Sequence, residues 1–441
     1  MTKLNDTHDP RRRSWVAAAN ASGCDLPIQN LPFGVFSAPG RDQRGGVAIG
    51  DSIFDLKAAL DAKLFTGAAE EAARAASAPS LNALMKMPPR QVSALRHALS
   101  EHLRVDGKDR ARIEKRAGDL LVPMQQATYA VPAAIGGFTD FFTSAHHVSR
   151  VGKVVRPDAP LPPAFQHLPM AYNSRASSVA VSGQEVVRPR GQLRRGDSEV
   201  AFGPTEALDF ELEVGAYVGA GNALGRPIPV SDAGEHIFGL CLLNDWSSRD
   251  IQRWESFPLG PFLGKSFCTT VSPWVITAEA LAPFRIPQPP RGQGDPQPLA
   301  YLLDDDDQAR GAFDIELTAT IQTEAMRARG EAPFTMTRTN LNTLYWTFAQ
   351  MIAHHTSNGC NLQPGDLIGS GTVSGPADEG RACMLESTSG GKQPLALPNG
   401  ETRAWLQDGD ELALHGRATR RDFVAIGFGE CRARIAAAAS L

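Results

Sequence analysis

Apolar residues recur along the chain with two different periods. Over 88–104, PPRQVSALRHALSEHLR, residues Val92, Leu95, Leu99 and Leu103 return at spacings of three and four. That predicts a helix with one buried face, and Pro89 stands in a first turn where its missing N–H costs nothing. Helical patterning extends from Leu56 to about Leu121. Before it, LPFGVFS and GGVAIGDSIFDL read as short strands joined by glycine turns. After it, LLVPMQQATYAVPAAIGGF ends the helical run with prolines and glycines, and a domain boundary is placed near 130.

Beyond that boundary strands and turns dominate. DFELEVGAYVG, 209–219, alternates apolar and polar residues, which predicts a half-buried strand. IFGLCLLND, 237–245, is an unbroken apolar run of strand length, which predicts burial on both faces. LNTLYWTFAQMIAHHTSNG, 341–359, reads as a helix closed by Gly359. LQPGDLIGSGTVSGP, LPNGETRAWLQDGDELALHG and VAIGFGECRARI read as strands linked by PG, NG and DG turns. Residues 285–298 read as a loop, and DDDD at 304–307 as a solvated acidic one.

Composition narrows the class. At 441 residues the chain exceeds one comfortable core, so two domains are expected, 1–130 and 131–441. A net charge of −4 argues against a nucleic-acid partner. No apolar run approaches the roughly 20 residues of a membrane span, and the polar start, MTKLNDTHDPRRR, lacks the apolar segment of a signal peptide. Cys24, Cys241, Cys268, Cys360, Cys383 and Cys431 are scattered, with no zinc or disulfide spacing, which fits reduced thiols in a cytoplasmic protein. G-x-S-x-G is absent, and no helix follows GAGNALG at dinucleotide-binding spacing.

The chemistry that remains is carboxylate-rich. Glu211 and Glu213 lie two apart on the alternating strand, on one face and about 7 Å apart along it. Alone, such a pair reads as the solvent face of an edge strand. Asp245 changes this, because it ends a fully apolar strand where an unpaired carboxylate is costly. Three carboxylates without a Cys or His cluster suit a hard cation, Mg²⁺ or Ca²⁺; Asp140 in GGFTDFF is a candidate fourth ligand, which spacing alone does not bring to the others. Arg249 and Gln252 share a helix face, and Lys265 follows in GPFLGKSF. They read either as donors toward a developing anion or as ordinary surface charges. His147, seven residues after Asp140, reads as a general base or as a structural histidine.

Several stretches together resemble the fumarylacetoacetase family of fumarylacetoacetate hydrolases. They are SWVAAANASGCDLPIQNLPFGVFS, TDFFTSAHHVSRVGKVVR, YNSRASSVAVSG, DFELEVGAYVGAGNALG, HIFGLCLLNDWSSRDIQRWESFPLGPFLGKSFCTTVSPWV, HHTSNGCNLQPGDLIGSGTVSGP and AIGFGEC. The resemblance runs in order from about residue 14 to 432. It implies a mainly β chain with α elements: a small N-terminal SH3-like barrel and a C-terminal mixed β-roll, in a homodimer. It also implies metal-dependent hydrolysis of a carbon–carbon bond in a small diketo acid, 4-fumarylacetoacetate. The family's metal ligands fall on Asp140, Glu211, Glu213 and Asp245, with Lys265 and Thr269 as further metal-associated residues. The proton acceptor falls on His147, its orienting carboxylate on Glu386, and an oxyanion partner on Arg249. Substrate contacts fall on Arg156, Tyr172, Gln252 and Thr372. Phe142 and Ser256 stand where substrate-binding tyrosines are expected, which leaves an acylpyruvase or decarboxylase acting on another 1,3-dicarbonyl acid as the alternative. A third reading, a roll kept only for binding, is disfavoured because His147, Glu386 and all four carboxylates are present.

Overall fold

The computed structural model describes residues 3–196 and 199–440. Its frame is an eight-stranded mixed sheet. In spatial order, Met170–Asn173, Phe138–Phe142, Leu367–Gly369, Leu212–Val218, Ile237–Asp245, Thr269–Val271 and Val179–Val181 lie side by side, and Ile276–Thr277 pairs with the far half of Ile237–Asp245. A five-stranded sheet, Phe334–Asn340, Ile315–Gln322, Glu411–Ala418, Ile426–Ala436 and Val186–Val187, completes the roll.

The unbroken apolar run of Ile237–Asp245 is explained by its position. Leu240 and Leu242 point into the core of the roll, whereas Cys241 and Leu243 point into a second core shared with the N-terminal segment. Side chains alternate across a strand, so a strand covered on both faces must be apolar at every position. The N-terminal segment supplies that cover. It holds five antiparallel strands in the order Leu121–Pro123, Ser52–Asp55, Arg41–Ile49, Phe33–Ala38 and Thr128–Ala130, compatible with the SH3-like expectation. Helix Pro89–Leu103 packs there on Val92, Leu95, Leu99 and Leu103, the stripe that its spacing predicts.

Three expectations need correction. Leu212–Val218 is buried along its whole length, not half-buried, because it lies between two other strands and under both cores. The helix expected over 341–359 is confined to Phe348–Thr356, with a short 3₁₀ turn at Leu341–Thr343. The four aspartates are not a solvated loop. Asp304 caps helix Asp305–Arg310, and Asp307 is 1% exposed, its Oδ2 accepting from Thr347 Oγ1 at 2.8 Å.

Candidate active site

Sheet order brings the carboxylates together. Asp140 pairs in register with Tyr172 on one side and Gly369 on the other. Glu213 lies on the strand beyond Gly369, and a side chain at Gly369 would strike both carboxylates, so the glycine keeps the space between them open. Asp245 ends the next strand, paired with Thr269. Asp140, Glu211 and Glu213 each offer an oxygen within 4.8 Å of the others. Asp245 stands outside that trio and is linked to it by donors. Tyr172 Oη lies 2.9 Å from Asp140 Oδ2 and 2.6 Å from Asp245 Oδ2. Lys265 Nζ donates to Asp245 Oδ2 at 2.9 Å and to Glu211 Oε2, and Thr269 Oγ1 donates to Asp245 Oδ1 at 2.8 Å.

His147 sits on helix Ala145–Val155, whose N-cap, Ser144, accepts from the His147 backbone N–H. Its Nδ1 lies 2.6 Å from Glu386 Oε1. Glu386 is further held by Ser374 Oγ at 2.6 Å and by Arg150 Nη1 at 3.3 Å. Phe142 presents its ring edge-on to the imidazole, centroids 5.3 Å apart.

A cavity of about 710 Å³ joins the two groups. Its lining includes Asp140, Glu211, Glu213, His147, Arg249 and Lys265, together with Phe142, Arg156, Tyr172, Gln252, Ser256 and Thr372. Asp245, Thr269 and Glu386 stand behind this wall and act on it through hydrogen bonds. Two members point differently from a simple reading of the sequence. Arg249 is no surface charge: it is buried, donating from Nε to Asp209 at 2.8 Å, from Nη2 to Glu211 at 2.8 Å and from Nη1 to Gln252 Oε1 at 3.1 Å. Ser256 turns its hydroxyl onto its own helix, 2.5 Å from the Gln252 carbonyl.

Residues 137–436 match the family described as Fumarylacetoacetate (FAA) hydrolase C-terminal, and residues 29–132 that described as Fumarylacetoacetase N-terminal. The chain belongs to the fumarylacetoacetate hydrolase family. It is 44% identical to a fumarylacetoacetase of Bos taurus over 434 residues, 97% of this chain and 99% of that one. It is 45% identical to a fumarylacetoacetase of Caenorhabditis elegans over 433 residues, 96% of this chain and 99% of that one. A solved fumarylacetoacetate hydrolase from psychrophilic Exiguobacterium antarcticum shares the fold, with a TM-score of 0.50 at 15% identity over 92% of this chain and 99% of that one. The chain is a hydrolytic enzyme of this family.

The electrostatics of the hydrolase site divide its carboxylates into two kinds. Burial would raise Glu211, but Lys265 and Arg249 outweigh it and hold the carboxyl at about 2. Burial would likewise lower Lys265, but Asp245 and Glu211 keep it charged. Asp140 and Glu213 have no hydrogen-bonded cation, and the pull of Lys265 on each is outweighed. Burial, and then their carboxylate neighbours, push both well above the usual range. Asp140 Oδ1 and Glu213 Oε1 are buried without a hydrogen-bond donor. Two adjacent, donorless carboxylate oxygens are an unfavourable arrangement unless a cation neutralises them. With only oxygen donors present, these residues fit a hard divalent ion.

One carboxylate beside the site escapes the sequence reading. Asp209 is fully buried between Arg249 and the turn that carries Glu386. Its signal was present: DFELE continues the period-two carboxylates one step before Glu211.

Proposed function

We propose that this enzyme hydrolyses the carbon–carbon bond of 4-fumarylacetoacetate to fumarate and acetoacetate, the last step of tyrosine and phenylalanine breakdown. The observation that carries the reading is His147 Nδ1 held at 2.6 Å by Glu386 in the cavity that Asp140, Glu211 and Glu213 also line. The similarity to the fumarylacetoacetase of Bos taurus, 44% identical over nearly the whole chain, supports the substrate. In this reading residues 1–130 form the N-terminal domain and 131–441 the catalytic one.

Asp140, Glu211 and Glu213 would hold Mg²⁺ or Ca²⁺, with Asp245 as the fourth carboxylate and Lys265 and Thr269 fixing its orientation. When bound, the ion supplies Lewis acidity to the diketone oxygens. The chain's own residues move the protons. Glu386 accepts from His147 Nδ1, which leaves Nε2 as the base. His147 Nε2 takes a proton from water as its oxygen attacks the carbonyl on the fumaryl side. The carbon–carbon bond then breaks, its electron pair leaves as the acetoacetate enolate, and the imidazolium returns the proton to that carbon. Arg249 occupies the Gln252 carbonyl, so the Gln252 amide N–H₂ is the end left to donate toward the oxyanion. Lys265 adds positive charge beside Glu211. Arg156, Tyr172 and Thr372 hold the substrate, with Phe142 and Ser256 at its acyl end.

A homodimer is supported by an exposed apolar segment beside the cavity, in which Phe257 is 92% and Leu259 96% exposed, flanked by Trp254, Phe262 and Leu263. A cytoplasmic location is supported by six cysteines that are all unpaired. Among the described residues no helix is long and apolar enough to cross a membrane.

A second reading, action on another 1,3-dicarbonyl acid, is favoured by Phe142, which has no hydroxyl, and Ser256, whose hydroxyl is committed to its helix. A spectrophotometric assay with fumarylacetoacetate and with acetylpyruvate, each with and without EDTA, separates the two. Preference for fumarylacetoacetate, lost on chelation and restored by Mg²⁺ or Ca²⁺, is the expected result. Preference for acetylpyruvate selects the second reading, and full activity in metal-stripped enzyme overturns the metal requirement.

A further inference from the structure

The four carboxylates and His147 explain the reaction, but not what keeps its two halves in register. Arg249 and Glu211 belong to the metal and oxyanion side. His147 and Glu386 belong to the proton-transfer side. Arg249 makes no hydrogen bond to His147 or Glu386. The two sides meet at Asp209.

Asp209 has none of its surface exposed, and all of its acceptor capacity is used. Its Oδ1 accepts from the backbone N–H of Met384 at 2.6 Å and of Phe210 at 2.8 Å. Its Oδ2 accepts from the backbone N–H of Leu385 at 3.0 Å and from Arg249 Nε at 2.8 Å. Met384 and Leu385 immediately precede Glu386 in the turn Met384–Ser387. One side chain therefore grips the guanidinium that reaches Glu211 and the backbone that aims Glu386 at His147. A residue serving only to fill space here would be apolar, since a buried carboxylate is costly unless every oxygen is matched.

We propose that Asp209 is a positioning residue that locks Arg249 and the turn bearing Glu386 into one unit, so that the base and the oxyanion donors keep a fixed separation. The proposal rests on the reaction proposed above only for its kinetic readout.

Asp209→Asn is the direct test because it keeps shape and volume. Either way round, the new amide N–H₂ faces two donors, Met384 and Phe210 at one end or Leu385 and Arg249 at the other, so the grip cannot be reproduced. The full-length enzyme with Mg²⁺ is labelled with ¹⁵N-histidine, and the His147 ring N–H resonance is assigned by its loss in His147→Ala. In Asp209→Asn this resonance is expected to shift and kcat to fall by about 10²-fold, the scale of a small misplacement of catalytic groups. KM is expected to change less than about threefold, because Asp209 lies outside the cavity wall. Arg249→Lys is the second variant. It keeps the positive charge beside Glu211 but loses the fork that reaches Asp209, and it too is expected to shift the His147 resonance although Arg249 does not touch that histidine. If Asp209→Asn does not fold, the Arg249→Lys spectrum decides. An unchanged resonance in the folded variants, or a lowered Tm with kcat intact, overturns the proposal. Because the resonance needs no substrate, its failure counts against Asp209 alone. Absence of fumarylacetoacetate turnover by the unmodified enzyme counts against the proposed reaction.

Discussion

His147 and Glu386 stand 239 positions apart in the chain and 2.6 Å apart in space. Each is almost fully buried, and both oxygens of Glu386 accept hydrogen bonds: burial would raise the carboxyl, but His147, Ser374 and Arg150 together hold it below the usual range. A carboxylate so placed fixes one imidazole tautomer and stabilises the imidazolium. His147→Ala is therefore expected to lower turnover by about 10²–10⁴-fold, and Glu386→Gln by somewhat less. The double variant should be little worse than His147→Ala, since groups acting as a unit are non-additive. Turnover numbers for the three variants, with metal content verified in each, check this. Losses that simply multiply would mean that the two residues act independently.

Glu213→Gln separates metal binding from stability. Gly371 N–H donates to Glu213 Oε2 at 3.1 Å, so the glutamine carbonyl stays there and its amide turns toward Asp140, the other carboxylate with a donorless oxygen. A buried unsatisfied acceptor costs about 1–3 kcal/mol. In EDTA the variant is expected to melt above the unmodified protein, by about 1–2 °C for each kcal/mol recovered in a chain of this size. It should also lose the rise in Tm that Mg²⁺ gives the unmodified protein. Scanning calorimetry with and without Mg²⁺ reads both effects. An unchanged Mg²⁺ response removes Glu213 from the ligand set.

Phe142→Tyr and Ser256→Tyr place a hydroxyl at the acyl end of the cavity. A hydroxyl that bonds substrate contributes about 0.5–1.5 kcal/mol net, up to roughly tenfold in specificity. The ratio of kcat/KM for fumarylacetoacetate over acetylpyruvate is expected to rise in one or both variants. Phe142→Tyr must preserve the edge-on contact with His147, so its kcat is read alongside the ratio. A ratio unmoved in both shows that neither position faces the substrate.

Asp307 predicts a pH dependence away from the site. Burial pushes its carboxyl from 3.8 up to about 6, against the Thr347 hydrogen bond and the nearby Arg285. A group whose folded pKa is raised contributes stability that is complete below the unfolded value and lost as pH rises through the folded one. At 1.36 kcal/mol per unit the full rise corresponds to roughly 3 kcal/mol. Asp307→Asn avoids that loss while keeping an acceptor for Thr347. Its Tm is expected to match the unmodified protein near pH 4 and to exceed it increasingly up to about pH 7. A Tm difference independent of pH rules this out.

The sequence alone determined what depends on near neighbours. The spacing of Val92, Leu95, Leu99 and Leu103 marks a helix face, and the unbroken apolar run to Asp245 marks a strand covered on both sides. Glu211 and Glu213 share a face because a strand repeats every two residues, and motif resemblance set Asp140 and His147 beside them. Tertiary structure decided the rest. Sheet order alone puts Gly369 between Asp140 and Glu213, and draws Asp245 into hydrogen bonds with Tyr172, Lys265 and Thr269. The same local pattern in DFELE that promised a half-exposed strand became a fully buried one, because periodicity reports which residues share a face and not what covers the other. DDDD looked solvated for the same reason, until the fold laid Thr347 against Asp307. Asp209 is legible as a carboxylate in step with Glu211. Its grip on Arg249 and on the turn before Glu386 is not, because backbone N–H groups carry no signature in sequence and meet a distant side chain only once the chain has closed around it.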